Sequence, residues 1–315
     1  MNGKRTMAAE SPAPLRLTLR QLQIFVAVAR AGSTMAAARE ISLSQSAVSA
    51  ALNELEDLLG GKLFDRAGRR LVLNEHGRSM LPRARLLLDT ARAIESEFGA
   101  AGHSSAPRLR IAASTTIGNW LLPAVIAAYR RREGAARIAV EIGNTGQVAR
   151  AVANFEVDLG FIEGPTHEPQ IKVLPWMADE LVVVCSPRHP LAATGRRKVR
   201  LEELAAATWL LREAGSGTRE VVERALQPHL HTVRTEIELG GTEAIVQAAA
   251  EGLGLTCLSR WTVSDMVKLE RLVVLRTALP RLTRTFYLVR HEHRYMSPTL
   301  ERFIAHCLAI HRKRN

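Results

Sequence analysis

The sequence predicts an all-α N-terminal third followed by an α/β C-terminal two-thirds. Three observations carry this. From Leu19 to about Gly102 the apolar residues recur at helical spacing, interrupted by one short hairpin signal. From Arg108 onward, short β-branched runs alternate with helical segments, which implies a parallel-type sheet covered by helices. Between the two lies Gly99-Ala-Ala-Gly-His-Ser-Ser-Ala-Pro107, a stretch of linker composition. The expected domains are a first unit over 18–75, a connecting helix and linker over 76–106, and the α/β unit over 107–310.

Composition bounds the function classes. The 315 residues are 47% hydrophobic but only 4% aromatic, so sizeable cores must be built from Ala, Leu, Val and Ile. The formal charge of +12 suggests a polyanionic partner such as nucleic acid. Cys185, Cys257 and Cys307 are odd in number and far apart, which argues against a disulfide framework or a CxxC metal site. They read as small apolar fillers in a reducing cytoplasm. The first residues carry basic groups and Pro12 and Pro14 but no apolar core, so they read as an arm and not a secretory signal. No run reaches the ~18–20 apolar residues of a membrane span. A cytoplasmic protein without cofactor or metal is expected.

Taken in order, Leu19–Ala29 is helical, with Leu22, Phe25, Val26 and Ala29 on one face. Gly32 breaks it, and Ser33 or Thr34 caps a short second helix whose Ala36-Ala37-Ala38 permits a close crossing. Ser42-Leu43 turns the chain and Ser44 caps a third helix. At ~100° per residue, Val48, Ala51, Leu52, Leu55 and Leu59 form its apolar back. Ser46, Ser49, Ala50 and Asn53 form its front, with Gln45 at the edge. Short hydrogen-bonding side chains on an outward helix face suit the DNA major groove. After Gly60-Gly61, Lys62–Arg66 and Arg69–Leu73 read as two short strands joined at Ala67-Gly68. Arg66, Arg69 and Arg70 at the tip can reach the minor groove or phosphates. The whole reads as a winged helix-turn-helix. In the next helix Met80, Ala84, Leu87, Ala91, Ile94 and Phe98 are spaced 4, 3, 4, 3, 4, a heptad seam that predicts a dimerising coiled coil. Two recognition helices would then match a two-fold operator in double-stranded DNA.

The α/β region has strand signals at Leu109–Ala112, Ile138–Ile142, Val157–Ile162, Glu180–Cys185, Thr208–Leu211, Arg234–Glu238, Leu255–Leu258 and Phe286–Val289. Four polar turns precede its helices: Ser114-Thr115-Thr116, Asn144-Thr145-Gly146, Gly215-Ser216-Gly217-Thr218 and Gly240-Gly-Thr242-Glu243. Ligands of α/β sheets sit beyond strand ends at helix N-termini, where N–H and O–H donors suit an anion. Plain N-capping explains any single turn equally well. All four together point to a binding cleft.

These residues resemble a known family. Leu22-Gln-Ile-Phe, Ala29-Arg-Ala-Gly-Ser33, Leu43-Ser-Gln-Ser-Ala-Val-Ser49, Leu63-Phe-Asp-Arg66 and Leu73-Asn-Glu-His-Gly77 are similar to the LysR-type transcriptional regulators. The resemblance implies a homodimer or tetramer, with RNA polymerase among its candidate partners. It also implies a periplasmic-binding-protein-like C-terminal domain that holds a small molecule between two α/β subdomains. Thr34 stands where the family usually has Phe, and Ala50 where many members have Arg, so base preference does not transfer.

Ala113–Asn119, Gly143–Thr145, Leu159–Pro165, Pro175-Trp176, Asp179–Leu181 and Arg212–Arg219 are similar to the branch containing regulators that respond to sulfite or related sulfur oxyanions. By that likeness Ser114, Thr115, Thr116, Asn144, Thr145, Ser216, Gly217 and Thr218 hold the effector, with Glu163 and Trp176 nearby. Neutral donors suit a small oxyanion without burial of a charged partner.

Enzyme readings lack their motifs. Ser216 has no Gly two residues before it, as a nucleophile elbow needs. Walker A is absent, and Gly252-Leu-Gly254 lacks the third glycine of a dinucleotide site. His229-x-His231 and His291-x-His293 stand without clustered acids. The rival readings are a solute-binding protein and an enzyme with an accessory DNA-binding domain.

Overall fold

The computed structural model describes residues 15–68, 70–98, 108–134, 136–194, 197–230 and 235–312. The chain forms two compact units, residues 1–97 and 98–315.

In the first unit, α1 (Leu19–Ala31) starts at a capping box between Thr18 and Gln21 and ends where Gly32 takes φ 68°. Helix α2 (Thr34–Glu40) and helix α3 (Gln45–Leu59) are capped by Ser33 and Ser44. Ala37 and Ala38 are buried where α2 crosses its neighbours, as their size predicts. Leu22, Phe25, Val28, Val48, Leu52 and Leu55 make the core, and Phe25 packs on Phe64 at 5.6 Å. Strands β1 (Phe64–Ala67) and β2 (Arg70–Leu73) pair antiparallel, and Leu71 N–H donates to the Gly32 carbonyl, tying this wing to the end of α1.

The expected apolar back of α3 needs a correction at Leu59, which is 48% exposed. Glu56 is buried instead, accepting from Leu63 N–H at 2.9 Å and Lys62 Nζ at 2.7 Å. The chain leaves the helix beside Glu56, and a carboxylate is needed there to satisfy the orphaned N–H.

Helix α4 (Glu75–Phe98) also departs from the single-seam expectation. Ala84 and Leu88 are buried, and Met80 and Leu81 pack with them on the core of their own unit. Leu87 and Ile94 are 48% and 56% exposed. One face of the helix therefore covers its own domain, while another carries exposed apolar residues.

The second unit has two lobes. The strand order of the main sheet is β10–β6–β11–β5–β3–β4, with β9 also on β6. Lobe 1 holds β3 (Arg108–Ser114), α5 (Leu122–Glu133), β4 (Arg137–Gly143), α6 (Thr145–Ala153), β5 (Leu159–Ile162) and α11 (Pro298–Arg312). Lobe 2 holds α7 (Leu201–Ala206), β7 (Trp209–Arg212), α8 (Gly217–Leu226), β8 (Thr235–Leu239), α9 (Thr242–Ala250), β9 (Thr256–Ser259), α10 (Arg260–Lys268) and β10 (Val273–Val274). Strands β6 (Ile171–Cys185) and β11 (Leu282–His291) run through both. Trp176, Met177, Phe286 and Leu288 join the lobe 1 core; Leu181, Val183, Cys185 and Leu282 join that of lobe 2.

The expected parallel-type sheet is thus a mixed one. Strand β3 is parallel to β4 and β5, and β7 to β8, but β11 is antiparallel to both β5 and β6. The Glu180–Cys185 signal is only the second half of β6. Its first half is largely exposed on the way between lobes, which hides the β pattern. All three cysteines are buried, and burial raises the Cys185 thiol to about 11 and Cys257 to about 12. Among the described residues, no helix is long and apolar enough to cross a membrane.

Candidate DNA-reading face and effector cleft

In the first unit, the two N-caps set the outward face of α3. Ser33 Oγ accepts from Ala36 N–H and Ser44 Oγ from Ala47 N–H, both at 3.2 Å. Ser44 Oγ also lies 3.0 Å from Ser46 Oγ. Gln45, Ser46 and Asn53 are exposed and Ser49 is half-buried. Gln45 Nε2 donates to Ser49 Oγ at 3.2 Å and to Thr34 Oγ1 at 3.4 Å, which joins α2 to the front of α3. A concavity of about 660 Å³ has Ser33, Thr34, Gln45, Ser49 and Asn53 on the helix side and Lys62, Arg66 and Arg70 on the wing side. Ser44 and Ser46 stand at the helix start, outside that lining. Arg69 lies outside the described residues.

Amide and hydroxyl groups that can reach base edges are therefore gathered with cations that can pair with phosphate. Sequence reasoning assigns Lys62 only to a strand. Its place in the concavity depends on Glu56, whose carboxylate bonds the ammonium and raises its pKa. The adjacent buried acid is visible only in three dimensions.

In the second unit, turns from both lobes meet. Ser114 ends β3; Thr115 and Thr116 follow it. Asn144 caps α6 in a capping box with Gln147, and Ser216 caps α8. Across the lobes, Thr115 Oγ1 accepts from Arg212 Nη2 at 3.1 Å, and Asn144 Nδ2 donates to Glu213 Oε1 at 3.2 Å. Gly146 N–H donates to the Gly215 carbonyl at 3.1 Å, and Asn119 Nδ2 donates to Glu243. Thr242 Oγ1 accepts from Arg212 Nη1 at 2.6 Å. Gly217 is required by this closeness, because a Cβ there would stand 2.4 Å from Thr145 Oγ1.

Beneath the turns, Arg284 on β11 donates to Glu163 Oε2 at 2.9 Å, Thr218 Oγ1 at 2.8 Å and Asp179 Oδ2 at 2.7 Å. Glu163 also accepts from Thr116 N–H at 2.8 Å and from Thr218 Oγ1 at 2.5 Å. Asp179 receives Ser259 Oγ at 2.7 Å. Burial pushes the Glu163 carboxyl up, but Arg284, Thr218, Ser114 and the Thr116 N–H outweigh it and hold the group below its ordinary value. Burial dominates at Asp179 and raises it, with the Glu163 charge adding to the rise. Glu213 is lowered: burial opposes ionisation, and the Arg212 guanidinium more than compensates.

Two corrections to the sequence reading follow. Trp176 is not at the cleft; it is 1% exposed in the lobe 1 core, packs on Phe161, and its Nε1 donates to the Cys307 carbonyl at 2.9 Å. An indole buried in a core needs such a partner, and that anchors it away from a ligand. The expectation of purely neutral donors also fails, since Arg212 and Arg284 are buried among them. They are tolerated because Glu213, Glu163 and Asp179 pair with them. Among the described residues, no group of three or more His, Cys, Asp or Glu could hold a metal ion.

Comparisons with known proteins agree with this division. Residues 19–78 match the bacterial regulatory helix-turn-helix protein, lysR family, and residues 102–311 match the LysR substrate binding domain. The chain is 48% identical to the uncharacterized HTH-type transcriptional regulator YeiE of Escherichia coli K12, over 93% of this chain and 98% of that protein. Full-length OxyR from Pseudomonas aeruginosa, solved as a cysteine-to-aspartate variant, shares the fold with TM-score 0.77 at 23% identity, over 95% of this chain and 98% of that one. The regulatory domain of CcmR from Synechocystis PCC6803, solved in complex with 2-PG, is 28% identical with TM-score 0.60, covering 65% of this chain and 97% of that one.

Proposed function

The chain belongs to the LysR family of transcriptional regulators, and on that premise we propose that it binds a two-fold DNA operator as a dimer and responds to a small anion held between its two C-terminal lobes. The single observation that carries the effector reading is the meeting of hydroxyl and amide turns from both lobes over buried Arg212 and Arg284. Such preorganised donors suit an anion. The 2-PG held by the CcmR regulatory domain supports the same use of this fold. The motifs shared with the sulfite-responsive branch favour a sulfur oxyanion.

Dimer formation uses the exposed Leu87 and Ile94 of α4, and pairing of dimers builds a tetramer. Gln45, Ser46, Ser49 and Asn53 read bases; Lys62, Arg66, Arg69 and Arg70 hold phosphates or the minor groove. The anion closes the lobes and changes the spacing of the paired recognition helices, and thereby the encounter with RNA polymerase.

The test is a thermal-shift screen of the full chain with sulfite, sulfate, thiosulfate, phosphate and small carboxylates, repeated on Thr145→Val and Ser216→Ala. The best ligand should lose most of its shift in both variants and should alter the footprint on a two-fold site. Full retention in both variants would place the effector elsewhere.

A further inference from the structure

We infer that the cleft selects an oxyanion that still carries a proton, with Glu163 accepting the hydrogen bond from the ligand's O–H. This rests on the small-anion reading above and names the chemical class within it.

The argument is a count of donors and acceptors. Glu163 Oε2 already receives Thr218 Oγ1 and Arg284 Nη1, and Oε1 receives the Thr116 N–H. A carboxylate offers about four lone-pair positions, so one on Oε1 is open. Around it are three donors that make no hydrogen bond among the described residues: Ser114 Oγ, Thr145 Oγ1 and Arg284 Nη2. Their residues are only 1%, 5% and 6% exposed, so each leaves a buried donor unmatched. A buried polar atom without a partner costs about 1–3 kcal/mol, which a ligand supplying acceptors would recover.

The three donors surround one place. Ser114 lies beside the Glu163 carboxylate. Thr145 Oγ1 is 2.4 Å, and Gly164 N 2.9 Å, from the point where a Cβ on Gly217 would stand. Gly164 follows Glu163, and Gly217 precedes Thr218. Arg284 Nη1 bonds both Glu163 and Thr218. Three donors beside one carboxylate acceptor match hydrogensulfite or hydrogenphosphate. Sulfate has the shape of hydrogenphosphate but no proton, so it would set a bare oxygen against an ionised carboxylate. A site built to bond a hydroxyl rejects the analogue lacking it by up to about 10⁴–10⁵-fold. The charged or titratable groups facing Glu163 are Arg284 and, beyond it, Asp179, with Cys257 next to that pair.

The test is calorimetric titration of the full chain with phosphate, sulfite and sulfate. At neutral pH, phosphate or sulfite should bind at least ~100-fold more tightly than sulfate. Affinity for the bound anion should fall as pH rises through its last ionisation, while the sulfate profile reports any titration of the protein itself. Glu163→Gln should bind sulfate better than wild type does, because the amide can donate. Sulfate binding as tightly as phosphate or sulfite in the wild type, or an affinity for the bound anion that does not fall with pH, overturns the inference and leaves the anion cleft standing. No binding of any of the three removes the small-oxyanion reading on which it rests. If Glu163→Gln does not fold, the wild-type ratio and pH profile decide alone.

Discussion

Two buried carboxylates show how much one side chain can organise here. Glu56 joins the end of the recognition helix to the start of the wing by bonding both Leu63 N–H and Lys62 Nζ. Glu56→Ala should cost about 1–3 kcal/mol, mostly by orphaning the Leu63 N–H, and urea denaturation would read this as a lower midpoint. Glu56→Gln should cost less, since an amide oxygen still accepts. The second is the Glu163–Arg284–Asp179 group. Arg284→Met would leave two buried acids without their cation, at a cost of about 3–5 kcal/mol. The pH dependence has a definite sign. The folded pKa of Glu163 lies below the ordinary 4.5, so its contribution is present above that value and is lost as pH falls through the folded one. Asp179 is raised above 3.8, so its ionisation opposes folding, and that cost disappears as pH falls. In Arg284→Met both acids lose their lowering partner, so the variant should regain stability relative to wild type on acidification. A constant gap between the two stability curves from pH 7 to pH 4 would refute this assignment.

At the scale of elements, α3 and the wing have separable tasks. Ser49→Ala and Asn53→Ala should weaken specific DNA binding more than non-specific binding, because base contacts carry sequence information. Arg66→Ala or Arg70→Ala should weaken both and reduce the salt slope by about 1 for each phosphate that is no longer neutralised. Competition binding at several salt concentrations separates the two; equal losses in both pairs would sink the division. Helix α4 likewise has two faces. Leu87→Asp and Ile94→Asp should yield monomers by sedimentation with little loss of thermal stability, since both side chains are exposed. Ala84→Asp should instead unfold the first unit, because Ala84 is 1% exposed in its core. Much of this was legible in sequence: the caps Ser33 and Ser44, the Gly32 break and the small Ala37-Ala38 are local signals with local causes. The split face of α4 was not, because a spacing of 4, 3, 4, 3, 4 does not say which neighbour covers it. Nor was the direction of β11, since an antiparallel return needs no local residue to announce it.

Across the whole second unit, two long strands hold two lobes whose turns close on one another. Gly217→Ala tests that closure. Its methyl would meet Thr145 Oγ1 and Gly164 N, forcing the lobes apart by several tenths of an ångström or more. The variant should bind operator DNA like the wild type but show no change of footprint with the effector. An unaltered effector response would mean that the Gly164–Gly217 approach plays no part in switching.

The sequence by itself determined the reading head, the two-part organisation and the four hydroxyl or amide turns, because capping, helix breaking and amphipathic spacing act between residues near in the chain. It also named most of the side chains that meet in the cleft. Tertiary structure alone decided what those side chains face. Arg284 lies 121 residues from Glu163 and 105 from Asp179 in sequence, so no spacing rule could join them. Trp176 looked like a ligand neighbour and became core, whereas Glu163 looked like a neighbour and became the acceptor around which buried donors gather. The physical reason is the same in both cases. A buried polar atom must find its partner wherever the fold brings one, and that is settled by packing between distant segments.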